Sequence, residues 1–332
     1  MSVVGAGGAR NPWLTTAAWR ATFRDRPLVP LIGLLALLVV VIAVIQPDIV
    51  NPGWVGVTLR AAIPLSILAA CQTLTFLTGG IDLSVGAVAS MSGFMVATLV
   101  GHQGLLVALL VPLVIAAIAG AGTGVGVGVF RVHPLIMTLG MSLVVLGLAN
   151  VWQLIMVQTG AGVPSELRWI GSSTTAGGIL PVNLLVFVPL AALILLLLRR
   201  TGYGRLLYAI GDNPVASRLS GVRSWQVLIV LYAISAILAA IAGFLYSGFT
   251  NVASVSLVDS FVLPSVAAAV IGGTSIMGGR GGFAGTMVGA LILTVLTSLL
   301  SSLGYPEAVR QILFGSIIVA VAAAYTRVTA ES

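Results

Sequence analysis

The sequence predicts an all-α protein that crosses a membrane many times. Of its 332 residues, 59% are hydrophobic and only 7% are charged, whereas a soluble domain carries about 25% charged residues. The apolar residues are grouped in runs of about 20, the helix length that a bilayer requires. Glycine pairs such as Gly79-Gly80 interrupt or end these runs, so we expect broken helices among the spans.

About ten apolar runs are long enough to span a bilayer, so residues 28–326 are predicted to form a single transmembrane domain. The run at 260–276 is the weakest, because Pro264 and the pair Gly272-Gly273 interrupt it. The predicted spans are residues 28–46, 56–77, 83–100, 104–130, 134–157, 181–198, 225–247, 260–276, 282–302 and 306–326.

The arginines orient the chain in the membrane. All 15 basic residues are Arg, and basic residues are concentrated in the cytoplasmic loops of membrane proteins. With both termini inside, 12 of the 15 face the cytoplasm, and only Arg60, Arg168 and Arg310 fall outside. The cytoplasmic segments of this orientation include the Arg-rich tail at 1–27, the basic loop at 199–224 and the C-terminal tail at 327–332, and two short inner loops contain Arg131 and Arg280.

The composition argues against several other kinds of site. The pI near 10.5 comes from arginines that flank apolar runs, so it indicates membrane loops and not a nucleic-acid partner. The single cysteine, Cys71, excludes an internal disulfide, and two histidines are too few for a histidine cluster. We therefore predict no metal site, and membrane lipid is the partner that the composition requires.

Two glycine-rich segments end apolar runs and lead into helices of small residues. Glycine lets the backbone turn sharply and lets neighbouring helices approach closely, so we predict that these segments permit the membrane helices to rearrange. The predicted gating residues are Gly79, Gly80, Asp82, Ser84 and Gly86 in the first segment, and Gly272, Gly273, Thr274, Gly278 and Gly279 in the second.

Asp82 is the conspicuous charge between the second and third spans, where a carboxylate is costly at membrane depth. We predict that it caps the helix that begins near Leu83, with its charge against the helix N-terminus. The alternative is a proton-relay carboxylate, which would indicate a secondary carrier.

The basic loop contains the signals of a short capped helix. Asn213 is a favourable N-cap, Pro214 suits the first helical position, and Gly221 suits the stop. So short a helix needs a neighbour to hold it. It is either an ordinary loop helix on the bilayer surface or a coupling helix that enters a cytoplasmic motor. The residues predicted for coupling are Asp212, Asn213, Pro214, Val215, Ala216, Arg218, Leu219 and Gly221.

Polar side chains inside the spans indicate a candidate substrate path. Gln72 and Thr73 lie in the second span, and Asn150, Trp152 and Gln153 lie in the outer half of the fifth. Polar and aromatic groups suit the hydroxyls and ring faces of a sugar. Hydrogen bonds between helices explain the same residues without any substrate, so both interpretations stay open.

Three segments, in matching order and spacing, resemble the ribose/xylose/arabinose-type permeases of bacterial ATP-binding-cassette importers. These segments are residues 78–86, 209–221 and 270–282, and the resemblance extends from about residue 28 to 326. It implies a permease subunit of the bacterial inner membrane that has no enzymatic activity of its own. Such a subunit translocates a monosaccharide by alternating access.

The resemblance also implies partners. They are an ATPase subunit with tandem nucleotide-binding halves, a second permease that is a copy or a paralogue, and a periplasmic sugar-binding protein. ATP and Mg would be bound by the ATPase, because this chain has no lysine for a Gly-x-x-x-x-Gly-Lys-Ser/Thr loop. The alternatives are a permease for branched-chain amino acids or another small polar solute, a proton-coupled secondary carrier, and a structural membrane protein.

Overall fold

The computed structural model describes residues 28–156, 162–175 and 177–330. Within these residues the regular structure is helical, as predicted, apart from one small sheet of two strands. The Arg-rich tail predicted at 1–27 lies outside the described residues.

The helices follow the predicted order along the chain. They are α1 (Leu28–Ile45), α2 (Pro52–Phe76), α3 (Val85–Gly128), α4 (Pro134–Met156), α5 (Ser165–Ser172), α6 (Leu184–Arg200), α7 (Gly202–Asp212), α8 (Pro214–Leu219), α9 (Ser224–Thr250), α10 (Val262–Ile271), α11 (Phe283–Ser302) and α12 (Glu307–Ala330). Strands β1 (Thr174–Thr175) and β2 (Leu180–Pro181) pair antiparallel between α5 and α6. A 3-10 turn at Asp259–Phe261 precedes α10.

Caps and glycines set the helix boundaries. Asn51 begins α2, because its Oδ1 accepts a hydrogen bond from the N–H of Trp54 at 2.9 Å and Pro52 follows at the first helical position. Gly104 interrupts α3 with a φ of +75°, which glycine adopts without strain. The spans predicted at 83–100 and 104–130 are therefore two parts of one helix that breaks at Gly104.

Six of the described helices are long and apolar enough to cross a membrane, namely α1, α2, α3, α4, α9 and α11. The pair α6 and α7, bent by 66°, would add a seventh if it were one span. The span predicted at 260–276 is shorter than expected, because α10 ends at Ile271 and Gly273 then takes a φ of +84°. The count of ten spans stays a prediction.

Helix α9 lies at the centre of the fold and packs along α3, α2 and α5. Its contact with α3 requires a small residue, since a Cβ added at Gly243 would lie 2.0 Å from the carbonyl oxygen of Ala89. Close backbone approach of this kind holds helices together in lipid, where apolar side chains gain little by leaving the bilayer. Helices α10 and α11 pack on α2, α1 packs on α11, and α12 packs on α10.

Three helices at the periphery expose large apolar side chains. Val44 on α1, Leu154 on α4 and Leu185 on α6 are each at least 70% exposed within this chain. Such surfaces are stable against lipid or against another membrane subunit.

We predict that Gly243→Ala destabilises the protein in detergent. The added methyl group meets the Ala89 carbonyl and must separate α3 from α9, and overpacking of this kind costs about 1–3 kcal/mol. The midpoint of thermal unfolding should fall by several degrees. Gly147→Ala is the matched control, because a Cβ there meets nothing within 4 Å. Equal midpoints for the two variants would contradict the contact between α3 and α9.

Candidate functional site

The short helix expected in the basic loop is present as α8. Asn213 Oδ1 accepts hydrogen bonds from the N–H groups of Val215 at 3.1 Å and Ala216 at 2.9 Å. Pro214 occupies the first helical position, and Gly221 follows the helix with a φ of +83°. The cap, the proline and the glycine therefore act at the positions that the sequence indicates.

One face of α8 is open. Leu219 is 85% exposed and Val215 is 57% exposed, although both are apolar. On the other side Ser217 is buried, and its Oγ donates to the carbonyl oxygen of Ala209 in α7 at 2.8 Å. An apolar pair on a short helix that α7 already holds is suited to insertion into a groove of another protein.

The second and third motifs meet the residue that leads into the first motif at one place, which we call the glycine junction. It comprises Leu77 at the end of α2, Gly211 in α7, and Gly278 and Gly279 after α10. The N–H of Gly279 donates to the carbonyl oxygen of Leu77 at 3.1 Å. A Cβ at Gly211 would lie 1.8 Å from that same oxygen, and a Cβ at Gly278 would lie 2.8 Å from the carbonyl oxygen of Gly211. Backbone packs on backbone here, with no room for a side chain between.

The junction brings both predicted gating segments next to the loop that contains α8. Gly79 turns the chain after α2 with a φ of +75°, and a Cβ there would lie 3.5 Å from the carbonyl oxygen of Met277 in the second segment. Tyr208 on α7 adds a side-chain contact, since its hydroxyl donates to the carbonyl oxygen of Gly281 at 3.0 Å. Helix α7 therefore contacts the second segment and the end of α2 that leads into the first.

Buried threonines connect the second glycine pair to α2. The Oγ1 of Thr286 lies 2.6 Å from Thr73 Oγ1 and 3.4 Å from Thr274 Oγ1, and all three residues are buried. A Cβ at Gly272 would lie 2.4 Å from the backbone nitrogen of Thr286. Thr73 thus takes part in a hydrogen bond between helices.

Asp82 lies in the turn between α2 and α3 and is 1% exposed. Its Oδ1 accepts from the N–H of Ser84 at 3.0 Å and from the Ser84 hydroxyl at 2.6 Å. Its Oδ2 accepts from the hydroxyl of Ser235, in the middle of α9, at 2.7 Å. The carboxylate therefore joins the turn before α3 to α9. The N-cap residue of α3 is Ser84, without a side-chain cap hydrogen bond, so Asp82 binds the N–H of the cap residue and not an N–H of the first helical turn as predicted.

The predicted path residues are placed differently from one another. Gln72 donates its Nε2 to the carbonyl oxygen of Asp82 at 2.8 Å, and Trp152 donates its Nε1 to Thr98 Oγ1 at 2.9 Å. Asn150 and Gln153 are exposed on α4. The polar atoms of Gln72 and Trp152 are therefore used in hydrogen bonds within the protein, as those of Thr73 are.

A cavity of about 360 Å³, which the sequence reasoning missed, lies toward the other end of α2. Leu65 on its wall is about 18 Å along the helix from Leu77. The rings of Tyr246 and Phe261 meet edge to face with centroids 4.7 Å apart. The lining residues come from five helices and the 3-10 turn, so no local sequence motif predicts the cavity. They include Tyr246, Phe249, Phe261, Thr294, Thr297, Glu307 and Arg310.

This cavity combines aromatic rings with hydroxyl and charged groups. Glu307 and Arg310 form an ion pair of 2.6 Å at the start of α12. Pockets for small polar ligands have this composition, with apolar walls and a few polar groups that fix orientation. The described part of the chain has no group of three or more His, Cys, Asp or Glu residues that could hold a metal ion.

Comparison with known proteins identifies the family. The family described as "Branched-chain amino acid transport system / permease component" matches residues 55–322. The chain belongs to this family. This permease is 35% identical over 256 residues to the ribose import permease protein of Escherichia coli K12, a match that covers 76% of this chain and 79% of that protein.

Two further relatives cover more of the chain. The permease is 34% identical over 284 residues to the ribose import permease protein of Bacillus subtilis, which covers 83% of this chain and 85% of that protein. It is 32% identical over 297 residues to the fructose import permease protein of Rhizobium meliloti, which covers 88% and 82%. No solved structure matches the chain.

Membership confirms the resemblance drawn from residues 78–86, 209–221 and 270–282. The family consists of transport components, so the chain is a permease and not an enzyme. Its predicted location in the bacterial inner membrane is confirmed on the same ground, and the long apolar helices agree with it.

We predict that Asp82→Asn destabilises the permease less than Asp82→Ala. The amide oxygen of Asn can accept from the N–H of Ser84 while its nitrogen donates to Ser235, whose hydroxyl can act as the acceptor. Alanine leaves these buried groups unpaired, at a cost of about 1–3 kcal/mol for each. Thermal unfolding in detergent measures the order of the two variants.

Solute uptake by the wild type and by Asp82→Asn, measured with and without a proton gradient, tests the function of the same residue. If Asp82 is structural, the Asn variant keeps the uptake of the wild type, with or without the gradient. The opposite result is a wild type whose uptake responds to a proton gradient and an Asn variant whose uptake does not. That result would assign Asp82 to proton transfer and favour a secondary carrier.

Proposed function

We propose that this permease is the membrane subunit of an ATP-driven importer that carries a monosaccharide by alternating access. The observation that carries the proposal is the glycine junction, where the loop containing the exposed helix α8 meets both glycine-rich segments. The names of the relatives, which are ribose and fructose import permease proteins, support a sugar as the solute.

In this proposal α8 receives force from a separate ATPase. Only Asn213 separates α8 from α7, so a displacement of α8 also moves Gly211. Gly211 has no side chain that could change its rotamer to absorb the movement, and its backbone contacts the carbonyl oxygen of Leu77. The movement therefore reaches α2 through Leu77 and reaches α10 and α11 through Gly278 and Gly279. Coupling of two sites through packed elements with alternative arrangements requires a contiguous contact of this kind.

Three partners complete the proposed importer. An ATPase with tandem nucleotide-binding halves binds Val215 and Leu219, and it holds the ATP and Mg that this chain has no lysine-containing loop to bind. A second permease, a copy or a paralogue, covers part of the exposed apolar surface of the peripheral helices. A periplasmic sugar-binding protein delivers the solute to the opposite end of the molecule.

The ten-span topology with both termini inside belongs to the same proposal. The part of α3 before Gly104 has 19 residues and is about 28 Å long, and the part after it has 24 residues and is about 36 Å long, so each is close to the roughly 30 Å thickness of the hydrocarbon layer. The two parts, joined at Gly104, are therefore long enough to span separately. In this orientation the glycine junction lies on the cytoplasmic side and the 360 Å³ cavity lies toward the outside.

We infer that the solute contacts the 360 Å³ cavity during transport. The faces of Tyr246 and Phe261 suit a sugar ring, while Thr294, Glu307 and Arg310 offer hydrogen-bond partners for its hydroxyls. Gln72 and Thr73 are already bonded within the protein, which makes them weaker candidates than the sequence indicates.

A branched-chain amino acid is the second candidate solute, because the family description names it. A zwitterion in the 360 Å³ cavity would need to separate the Glu307–Arg310 pair in order to bind both charges. A neutral sugar can hydrogen-bond to the pair without separating it. Competition between unlabelled sugars and leucine for uptake into proteoliposomes distinguishes the two solutes.

We predict that Leu219→Asp abolishes both association with the ATPase and solute uptake. The side chain is 85% exposed, so the permease itself should stay folded, whereas an apolar groove would have to desolvate the new carboxylate. Extraction from the native membrane in mild detergent, followed by mass spectrometry of the co-purified chains, measures association. The wild type should retain an ATPase with two nucleotide-binding halves.

Gln226→Asp is the control for this variant. Gln226 is also exposed in the cytoplasmic part of the chain, and an acidic residue is tolerated in the first turn of α9. The control should retain the ATPase. Full association and uptake in Leu219→Asp would remove α8 from the docking site, and wild-type permease that is recovered alone, even after cross-linking, would favour a carrier that works without ATP.

A further inference from the structure

A basic cavity lies beside α8, at the start of α9. Its volume is about 420 Å³, and its wall includes Arg131 from the segment between α3 and α4, Arg218 from α8, and Arg223 just before α9. None of the lining residues is acidic. Three cations from three separate parts of the chain therefore surround one space.

These arginines have no partner of opposite charge among the described residues. The one ion pair found there joins Glu307 to Arg310 and does not involve this cavity. Arg131 is also held in a left-handed backbone conformation, with a φ of +56°, which is uncommon for a residue other than glycine. The cavity therefore concentrates positive charge that the described protein leaves uncompensated.

Two hydroxyl groups in the wall of the cavity are buried without a hydrogen-bond partner in the described part of the chain. They are the Oγ of Ser224 and the hydroxyl of Tyr232, whose side chain is only 1% exposed. A buried hydroxyl without a hydrogen-bond partner destabilises the fold by about 1–3 kcal/mol. A ligand in the cavity that accepts a hydrogen bond from each hydroxyl would remove this penalty. Ser224 also begins α9, a helix of 27 residues whose N-terminus has no side-chain cap.

We propose that this cavity binds a phosphate group, as a free ion or as the headgroup of an anionic phospholipid. Arginine guanidinium groups match the oxygens of phosphate in charge and geometry. The N-terminus of a long helix adds a positive dipole end. The hydroxyls of Ser224 and Tyr232 supply two further donors.

The rest of the lining fits the lipid source. Trp225, which is 45% exposed, and Leu228 form an apolar part of the wall next to the arginines. Tryptophan is typical of the layer of lipid headgroups, and clustered arginines beside the cytoplasmic ends of spans attract anionic lipids.

A bound phosphate would connect α8 to the turn after α2 that contains Gly80. Arg218 belongs to α8, and Thr78 also lines the cavity. The hydroxyl of Tyr232 lies 2.7 Å from the position that a Cβ at Gly80 would occupy. The ligand would thus hold α8, α9 and the turn after α2 in one arrangement, independently of which solute the permease carries.

The test measures lipid binding to the purified permease by native mass spectrometry in detergent. Phosphatidylglycerol is the anionic probe, phosphatidylcholine is the lipid without net charge, and inorganic phosphate is the free ion. Arg131→Gln and Arg223→Gln should each weaken phosphatidylglycerol binding about fivefold, as expected for one basic residue near an anionic headgroup. Arg205→Gln removes the same charge from an exposed position outside the cavity and should leave binding unchanged.

Tyr232→Phe is the sharper variant, because it removes only the unpaired hydroxyl. It should weaken phosphatidylglycerol binding without lowering the thermal stability of the lipid-free permease. Displacement of the lipid by millimolar inorganic phosphate would identify the free ion as a ligand of the same site, and lipid binding that phosphate does not displace would identify the headgroup. Equal binding of the two lipids, or equal losses in Arg131→Gln and Arg205→Gln, would overturn the proposal.

Discussion

The contact between the backbone of Gly211 and the carbonyl oxygen of Leu77 is the constraint on which the site depends. Any side chain at position 211 would occupy the space of that oxygen, 1.8 Å from its own Cβ. The same oxygen accepts the N–H of Gly279 at 3.1 Å. One carbonyl therefore brings together the end of α2, the helix that leads into α8 and the second glycine-rich loop.

The junction can transmit a displacement only if the helices behind it are held firmly. Apolar packing alone does little for helices in lipid, so hydrogen bonds and small-residue contacts must supply the cohesion. Asp82 joins the start of α3 to Ser235 in α9, and Thr286 joins α11 to Thr73 in α2. These buried polar contacts hold the membrane helices together, and in the proposed mechanism the helices rearrange at the glycine turns between them.

Features encoded by neighbouring residues could be predicted from the sequence. The cap at Asn213 and the stop at Gly221 define α8 locally, and hydropathy alone locates most of the long helices. The interruption of the run at 260–276 by Gly272-Gly273 was predicted, but hydropathy placed its end five residues too late, because the backbone turn at Gly273 ends α10 at Ile271. The meeting of Leu77, Gly211 and Gly279 could not be predicted, since each motif is local and their contact is tertiary.

The chemistry of single side chains was ambiguous for a related reason. Gln72 and Thr73 suit a sugar path and a contact between helices equally well, and only the positions of Asp82 and Thr286 decide for the contact. The residues of the 360 Å³ cavity could not be predicted at all, because Tyr246 and Glu307 belong to no sequence motif and line one wall only in the folded protein. Where a site is assembled from five helices, its composition is visible only after folding.

The most direct test of the account is the number of solute molecules imported for each ATP hydrolysed by Gly211→Ala. The measurement uses proteoliposomes that contain the permease, its ATPase and its binding protein, with Gly202→Ala as the control, where the nearest atom to a new Cβ is the flexible end of Arg205 at 3.7 Å. If the junction transmits the movement of α8, Gly211→Ala keeps its ATPase but imports about tenfold less solute per ATP, while the control matches the wild type. An unchanged ratio in Gly211→Ala would contradict transmission through the glycine junction.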